Sequence, residues 1–199
     1  MNDEIITAQK EVIKKYFLEN WFDFDKCPKM KGYIGNTGSS LIWFLCERPS
    51  IYQYLKSKPE ENKEWDVTPG DKLFREAIEL AGLGNKNGSD FLCYISNLIM
   101  EPKKVKNWKK DKKQVDMWIP FLQEQIEKRT PKVIVTVGKK ATEIFEYMLP
   151  NSITPHEVIC QYTYITNKPE KGGKKRPPND CDRKSEFINS ICRIADKYS

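Results

Sequence analysis

One histidine, His156, serves the whole chain of 199 residues. The six cysteines, Cys27, Cys46, Cys93, Cys160, Cys181 and Cys192, include no C-x-x-C pair. A tetrahedral zinc site needs four nitrogen or sulfur ligands at close spacings, and an iron–sulfur cluster needs grouped thiolates. Neither is expected, and the predicted cofactor complement is none. The chain has no run of 18 apolar residues and opens Met-Asn-Asp-Glu rather than with a secretory leader. Both point to a soluble protein in the cytoplasm, without a membrane partner. Disulfides are not expected in that compartment, and Cys93 and Cys160, in apolar surroundings, are read as buried thiols in strands. A phosphate-binding loop is also missing. Gly35-Asn36-Thr37-Gly38 precedes a strand, whereas such loops follow a strand and open a helix.

What the chain does have is charge. Lys and Arg number 34 against 28 Asp and Glu, a net charge of +6 with a pI near 8.9. That excess favours an anionic partner. The length suffices for one domain with a substantial core, taken here as residues 1–199.

The chain is organised around Leu41-Ile42-Trp43-Phe44-Leu45, an apolar run that reads as a buried strand and stops at Glu47-Arg48-Pro49-Ser50. An amphipathic helix is expected over 3–18 and a loop over 19–40. Thr68-Pro69 marks the start of a helix whose face carries Leu73, Phe74, Ala77 and Ile78, closed by Gly82 and Gly84. Phe91–Asn97 reads as a second strand, ending on an amide. Seven lysines then fall between Glu101 and Lys113, interrupted by Trp108. A helix with Val115, Trp118, Ile119, Leu122 and Ile126 on one face follows, then a strand at Val133–Val137. The next helix places Ala141, Ile144, Phe145 and Met148 together. A fourth strand is expected at Gln161–Thr166, followed by a basic, Gly- and Pro-rich mobile loop over 168–184 and a last helix capped by Ser185. Strands alternating with helices imply a three-layer α/β/α sandwich around a central four-stranded parallel sheet.

The order of these landmarks resembles the uracil-DNA glycosylase superfamily, nearest the bacterial and archaeal branch whose first motif reads G-E-A-P-G. Cys46-Glu47-Arg48-Pro49-Ser50 stands in the place of that motif. Gly70-Asp71-Lys72-Leu73-Phe74 is similar to the family's G-x-L-L, and Tyr94-Ile95-Ser96-Asn97 with Glu101-Pro102 to its Y-I-T-N…R-P. Trp118-Ile119-Pro120-Phe121-Leu122, Pro131-Lys132-Val133-Ile134-Val135 and Gly138…Ala141 follow its P-F-L…P-K-V-I-V…G-x-x-A run. The resemblance covers roughly residues 40–170. It departs from the family at the last motif, H-P-S, where the chain reads Asn167-Lys168-Pro169-Glu170, and in the cluster-binding cysteines, which have no counterpart. His156 lies before the expected fourth strand and is read as a solvated loop residue.

The resemblance implies a monofunctional DNA glycosylase, monomeric, acting on double- or single-stranded DNA. A glycosylase flips its target base into a pocket, stacks it, reads its edge and stabilises charge as the N-glycosidic bond breaks. On this reading Asn97 orients the base, Glu47 activates water or stabilises the sugar cation, and Asn167 is a shifted substitute for the missing histidine. Arg48 suits a phosphate or base oxygen, and Lys168 is the one lysine placed to alter a monofunctional mechanism. Tyr52, Tyr54 and Trp65 compete for the stacking role. Ser50 stands where the uracil-restricted branch has a bulky tyrosine, which leaves space for a C5 substituent. Lys103, Lys104, Lys106, Lys109, Lys110, Lys112 and Lys113, with Lys171, Lys174, Lys175 and Arg176, are expected to bind DNA phosphates. The alternative is a binding module of the same fold without catalysis. A flavodoxin-like nucleotide-binding protein fits less well, because Glu-Arg-Pro-Ser is a poor phosphate loop.

Overall fold

The computed structural model describes residues 41–48, 69–84, 92–99, 107–110, 112–162, 165 and 180–199, with Lys128 and residues 180–182 described by backbone alone. The expected N-terminal helix and the aromatic segment 51–67 lie outside the described residues.

Five apolar residues in succession suit a strand covered on both faces, and Ile42–Cys46 (β1) is buried throughout. The same holds for Val133–Val137 (β3). With Tyr94–Asn97 (β2) and His156–Ile159 (β4) they form a four-stranded sheet in the order β2-β1-β3-β4. Every pairing is parallel.

Four helices cover the sheet among the described residues: α1 (Pro69–Leu80), α2 (Lys112–Arg129), α3 (Lys139–Met148) and α4 (Asp180–Tyr198). A 3₁₀ turn, Trp108–Lys110, precedes α2. Successive strand residues face opposite ways, so β1 shows which helices lie on each side. Phe44 meets Phe74 of α1 edge-on at 5.5 Å, and Phe74 in turn lies 5.9 Å from Phe187 of α4. Burying each of these rings is worth roughly 2–3 kcal/mol. Trp43 points the other way, to Tyr94, whose hydroxyl accepts a hydrogen bond from Gln125 of α2. On that side α2 and α3 pack together and α3 lies on β3. The three-layer α/β/α arrangement therefore follows from alternate residues of one strand.

Four expectations need correction. The fourth strand is His156–Ile159, not Gln161–Thr166; Tyr162 and Ile165 are helical and buried. His156 is thus a half-buried strand residue rather than a solvated loop residue. Its Nε2 lies 2.9 Å from Thr136 Oγ1, which also shares a hydrogen bond with Thr142 of α3. Cys93 is buried as expected, but Cys160, just past β4, is exposed. Finally, α4 begins at Asp180, so Ser185 sits inside it and 180–184 is helix rather than loop. The start follows the Pro177-Pro178 pair, two residues that cannot continue a helix backwards.

Candidate active site

Because all four strands are parallel, their carboxyl ends share one edge of the sheet, where open α/β folds bind ligands. In sheet order that edge carries Asn97, then Glu47 and Arg48, then Gly138 with Lys139 and Lys140, then Gln161 and Tyr162. Backbone hydrogen bonds continue past the strands and fix these exits. The Leu98 N–H donates to the Cys46 carbonyl at 2.8 Å and the Ile99 N–H to the Glu47 carbonyl at 3.1 Å. The Gly138 N–H donates to the Ile159 carbonyl at 2.8 Å.

A cleft of about 450 Å³ opens between the ends of β1, β3 and β4. Glu47 lines it with a carboxylate that is shared between two cations. Oε1 lies 3.4 Å from Arg48 Nε, and Oε2 lies 3.9 Å from Lys140 Nζ. The Arg48 guanidinium also donates, at 3.4 Å, to the side-chain oxygen of Gln114, a buried residue of α2. Pairs at these lengths and partial exposures add little to stability. Their effect is orientation: the carboxylate is held at the cleft and set in positive surroundings completed by Lys139 at the start of α3. A smaller cleft of about 310 Å³ lies at the other end of the sheet, between the last turns of α2 and α3. It holds Glu127 but none of the strand-end groups, so the chemistry belongs to the first cleft.

Beneath the cleft, burial pushes the Cys46 thiol up to about 12, and the Asp71 carboxylate adds to the rise, while a hydrogen bond from Tyr162 opposes it. Cys46 therefore stays protonated and is no nucleophile. Asn97 is the register partner of Cys46 and only 5% exposed. Its Nδ2 is buried without a hydrogen-bond partner among the described residues. Buried amide donors are nearly always paired, so this one, at the end of a strand, is a candidate contact for a ligand.

The described part of the lysine-rich segment is anchored by Trp108, buried against Tyr147 of α3 with ring centroids 5.3 Å apart. Lys109, Lys110, Lys112 and Lys113 are all exposed. They are not equivalent. Lys109 pairs with Glu143 at 3.1 Å and holds that carboxyl below its ordinary value by hydrogen bonding. Lys112 lies 5.0 Å from the centre of the Tyr147 ring.

Of the residues singled out from sequence, the structure brings Glu47 and Arg48 into the cleft and puts Asn97 at the neighbouring strand end, outside the cleft lining. Gln114 joins the site through Arg48. Lys139, Lys140 and Gln161 line the cleft and were not anticipated. The first two had a readable signal, a Gly-Lys-Lys step between a strand and its helix. Gln161 had none, because its position depends on where β4 ends. Asn167, Lys168, Ser50, Tyr52, Tyr54, Trp65, Lys103, Lys104, Lys106, Lys171, Lys174, Lys175 and Arg176 lie outside the described residues.

Among the described residues no three His, Cys, Asp or Glu side chains converge to hold a metal ion, and no helix is long and apolar enough to cross a membrane.

A parallel sheet with a polar, cation-rimmed cleft at its carboxyl edge defines the chain as an α/β protein with a candidate site at its strand ends. The chain belongs to the uracil DNA glycosylase superfamily, whose family model matches residues 33–176, well over half of its length. A search of curated proteins found no match. Family membership supports hydrolysis of N-glycosidic bonds as the class of activity and DNA as the partner.

Proposed function

We propose that the protein is a monofunctional DNA glycosylase that flips an aberrant or modified pyrimidine out of DNA and hydrolyses its N-glycosidic bond, leaving an abasic site. The observation that carries this reading is Asn97, a buried carboxamide at a strand end whose amide nitrogen has no partner among the described residues. A flipped base supplies the missing acceptor.

In this reaction water attacks C1′ of the deoxyribose as the bond to the base breaks. The base leaves with the electron pair and takes up a proton, and Glu47 accepts the proton lost by water. Before attack, the same carboxylate stabilises the oxocarbenium-like sugar. Arg48 holds a phosphate or a base oxygen, and one of Tyr52, Tyr54 and Trp65 stacks the base. Lys168 contacts the substrate nucleotide, and the lysines of 103–113, with Lys171, Lys174, Lys175 and Arg176, bind phosphates.

The target is uracil or a pyrimidine substituted at C5. Support for the second comes from Ser50, small where the uracil-restricted branch is bulky. Hypermodified viral cytosines are one source of such bases, and their removal would make this a cytoplasmic defence enzyme. A second reading, a DNA-binding module without catalysis, draws support from the two cations already engaging Glu47.

Incubation with oligonucleotides carrying uracil or C5-modified pyrimidines, followed by alkali, separates these readings. Strand cleavage after alkali identifies a glycosylase, and cleavage before alkali reveals lyase activity. Tight binding with no abasic product on any substrate favours the binding module. Excision of uracil alone removes the C5 assignment.

A further inference from the structure

The fourth strand ends at Ile159, so the chain reaches the carboxyl edge of the sheet at Gln161, and Asn167 is eight residues beyond the strand. Gln161 lines the cleft together with Glu47 and Arg48. Its side chain lies over Gly138. A Cβ at position 138 would stand 2.8 Å from Gln161 Oε1 and 2.9 Å from Gln161 Cβ. Gly138 has φ +90, a conformation open to glycine and strained for other residues. The exit of β3 thus yields its side-chain space to this one carboxamide. Gln161 is half-buried, and no hydrogen bond from its side chain occurs among the described residues.

Two carboxamides therefore stand at the outer strands of the sheet, Asn97 on the β2 side and Gln161 on the β4 side, with Glu47 on a strand between them. Of the two, Gln161 shares the cleft with Glu47, whereas Asn97 stands outside its lining.

We propose that Gln161 determines specificity in the base pocket, hydrogen-bonding the edge of the flipped base from the β4 side. The inference rests on the glycosylase reading above. A carboxamide both donates and accepts, and it is neutral throughout the working pH range. It can therefore meet a carbonyl oxygen or a ring N–H, and it stabilises charge growing on a departing base without titrating.

The test compares wild type with Gln161→Ala, Gln161→Glu and Gln161→His. It measures single-turnover excision of uracil and C5-substituted pyrimidines and binding to an abasic duplex. The Ala and Glu variants should excise on the order of 100-fold more slowly, with abasic-duplex affinity unchanged and altered rate ratios between bases. The His variant should recover part of the rate and add a pH-dependent limb near 6.5. Unchanged rates and ratios in Gln161→Ala overturn the proposal. Melting curves identify a variant that fails to fold, and Gln161→Glu, nearly isosteric, then serves instead of Ala. Should the wild type excise no base, the glycosylase reading falls and binding alone decides about Gln161. Wild-type preference for a duplex with a 2′-fluoro-stabilised pyrimidine over the abasic duplex should then shrink about tenfold in Gln161→Ala. An absent or unchanged preference overturns the proposal.

Discussion

Gln161 fills the space that a side chain at position 138 would need. Glycine is required there twice over, by its positive φ and by this neighbour. Gly138→Ala should lower the unfolding free energy by about 1–3 kcal/mol, measured by denaturant titration. It should also depress excision beyond what lost stability explains, because Gln161 must move. Wild-type stability and activity in Gly138→Ala would show that the β3 exit relaxes freely.

Neutralising lysines near Trp108 should flatten the slope of log DNA affinity against log salt, though unevenly. Lys109 already pairs with Glu143 and Lys112 lies against Tyr147, while Lys110 and Lys113 make neither interaction. A Lys110→Gln, Lys113→Gln double variant should therefore lower the slope by about 2, roughly one unit for each phosphate no longer neutralised. The Lys109→Gln, Lys112→Gln pair should lower it less. Slopes unchanged from wild type in both variants would assign this face to solvent, and equal drops would show that Lys109 and Lys112 contact phosphates as fully as the other pair.

Asn97→Ala should separate function from stability. Removing a base-reading hydrogen bond costs on the order of 100-fold or more in excision rate. The same change removes a buried donor that has no described partner, so the folded state should be as stable as wild type or more so. Rate is read by single-turnover excision and stability by thermal melting. A loss of stability matching the loss of rate would make Asn97 a structural residue.

His156 should give the fold an acid-sensitive element. Burial holds its pKa below the ordinary 6.5, while Glu146 and Glu157 oppose the shift. The unfolded chain therefore binds the proton at higher pH than the folded one. Its contribution to stability is complete above about 6.5 and declines as pH falls from there toward the lowered folded value. In His156→Gln that part of the pH dependence should vanish from melting curves recorded between pH 7 and 5. Parallel profiles for the two proteins would refute the assignment.

Strands β1 and β3 were legible because they are central: covered on both faces, they are written as unbroken apolar runs. β4, beyond β3, was not, because its sequence is not an apolar run. His156 is turned to Thr136, and Glu157 forms an ion pair at 2.7 Å with Lys197 of α4, so polar residues occupy half of its positions. The more strand-like Gln161–Thr166 instead contains Tyr162, which stacks on Phe74 at 5.2 Å. Aromatic content alone does not distinguish a strand from a helical turn docked on the core. The site shows the same division. Glu47 and Asn97 could be found because each directly follows or ends a run that reads as a strand, whereas Gln161 needed the true end of β4.

The hydrogen bonds that carry the β2–β1 ladder beyond both strands have a consequence for how such a protein could change its target. They splice the backbone of Glu47 to the residues just after Asn97, so neither can be displaced without dragging the other. An insertion or deletion at either exit would misalign both groups in one step. Retargeting is therefore expected to proceed by side-chain replacement on this splice rather than by changes in the length of either exit.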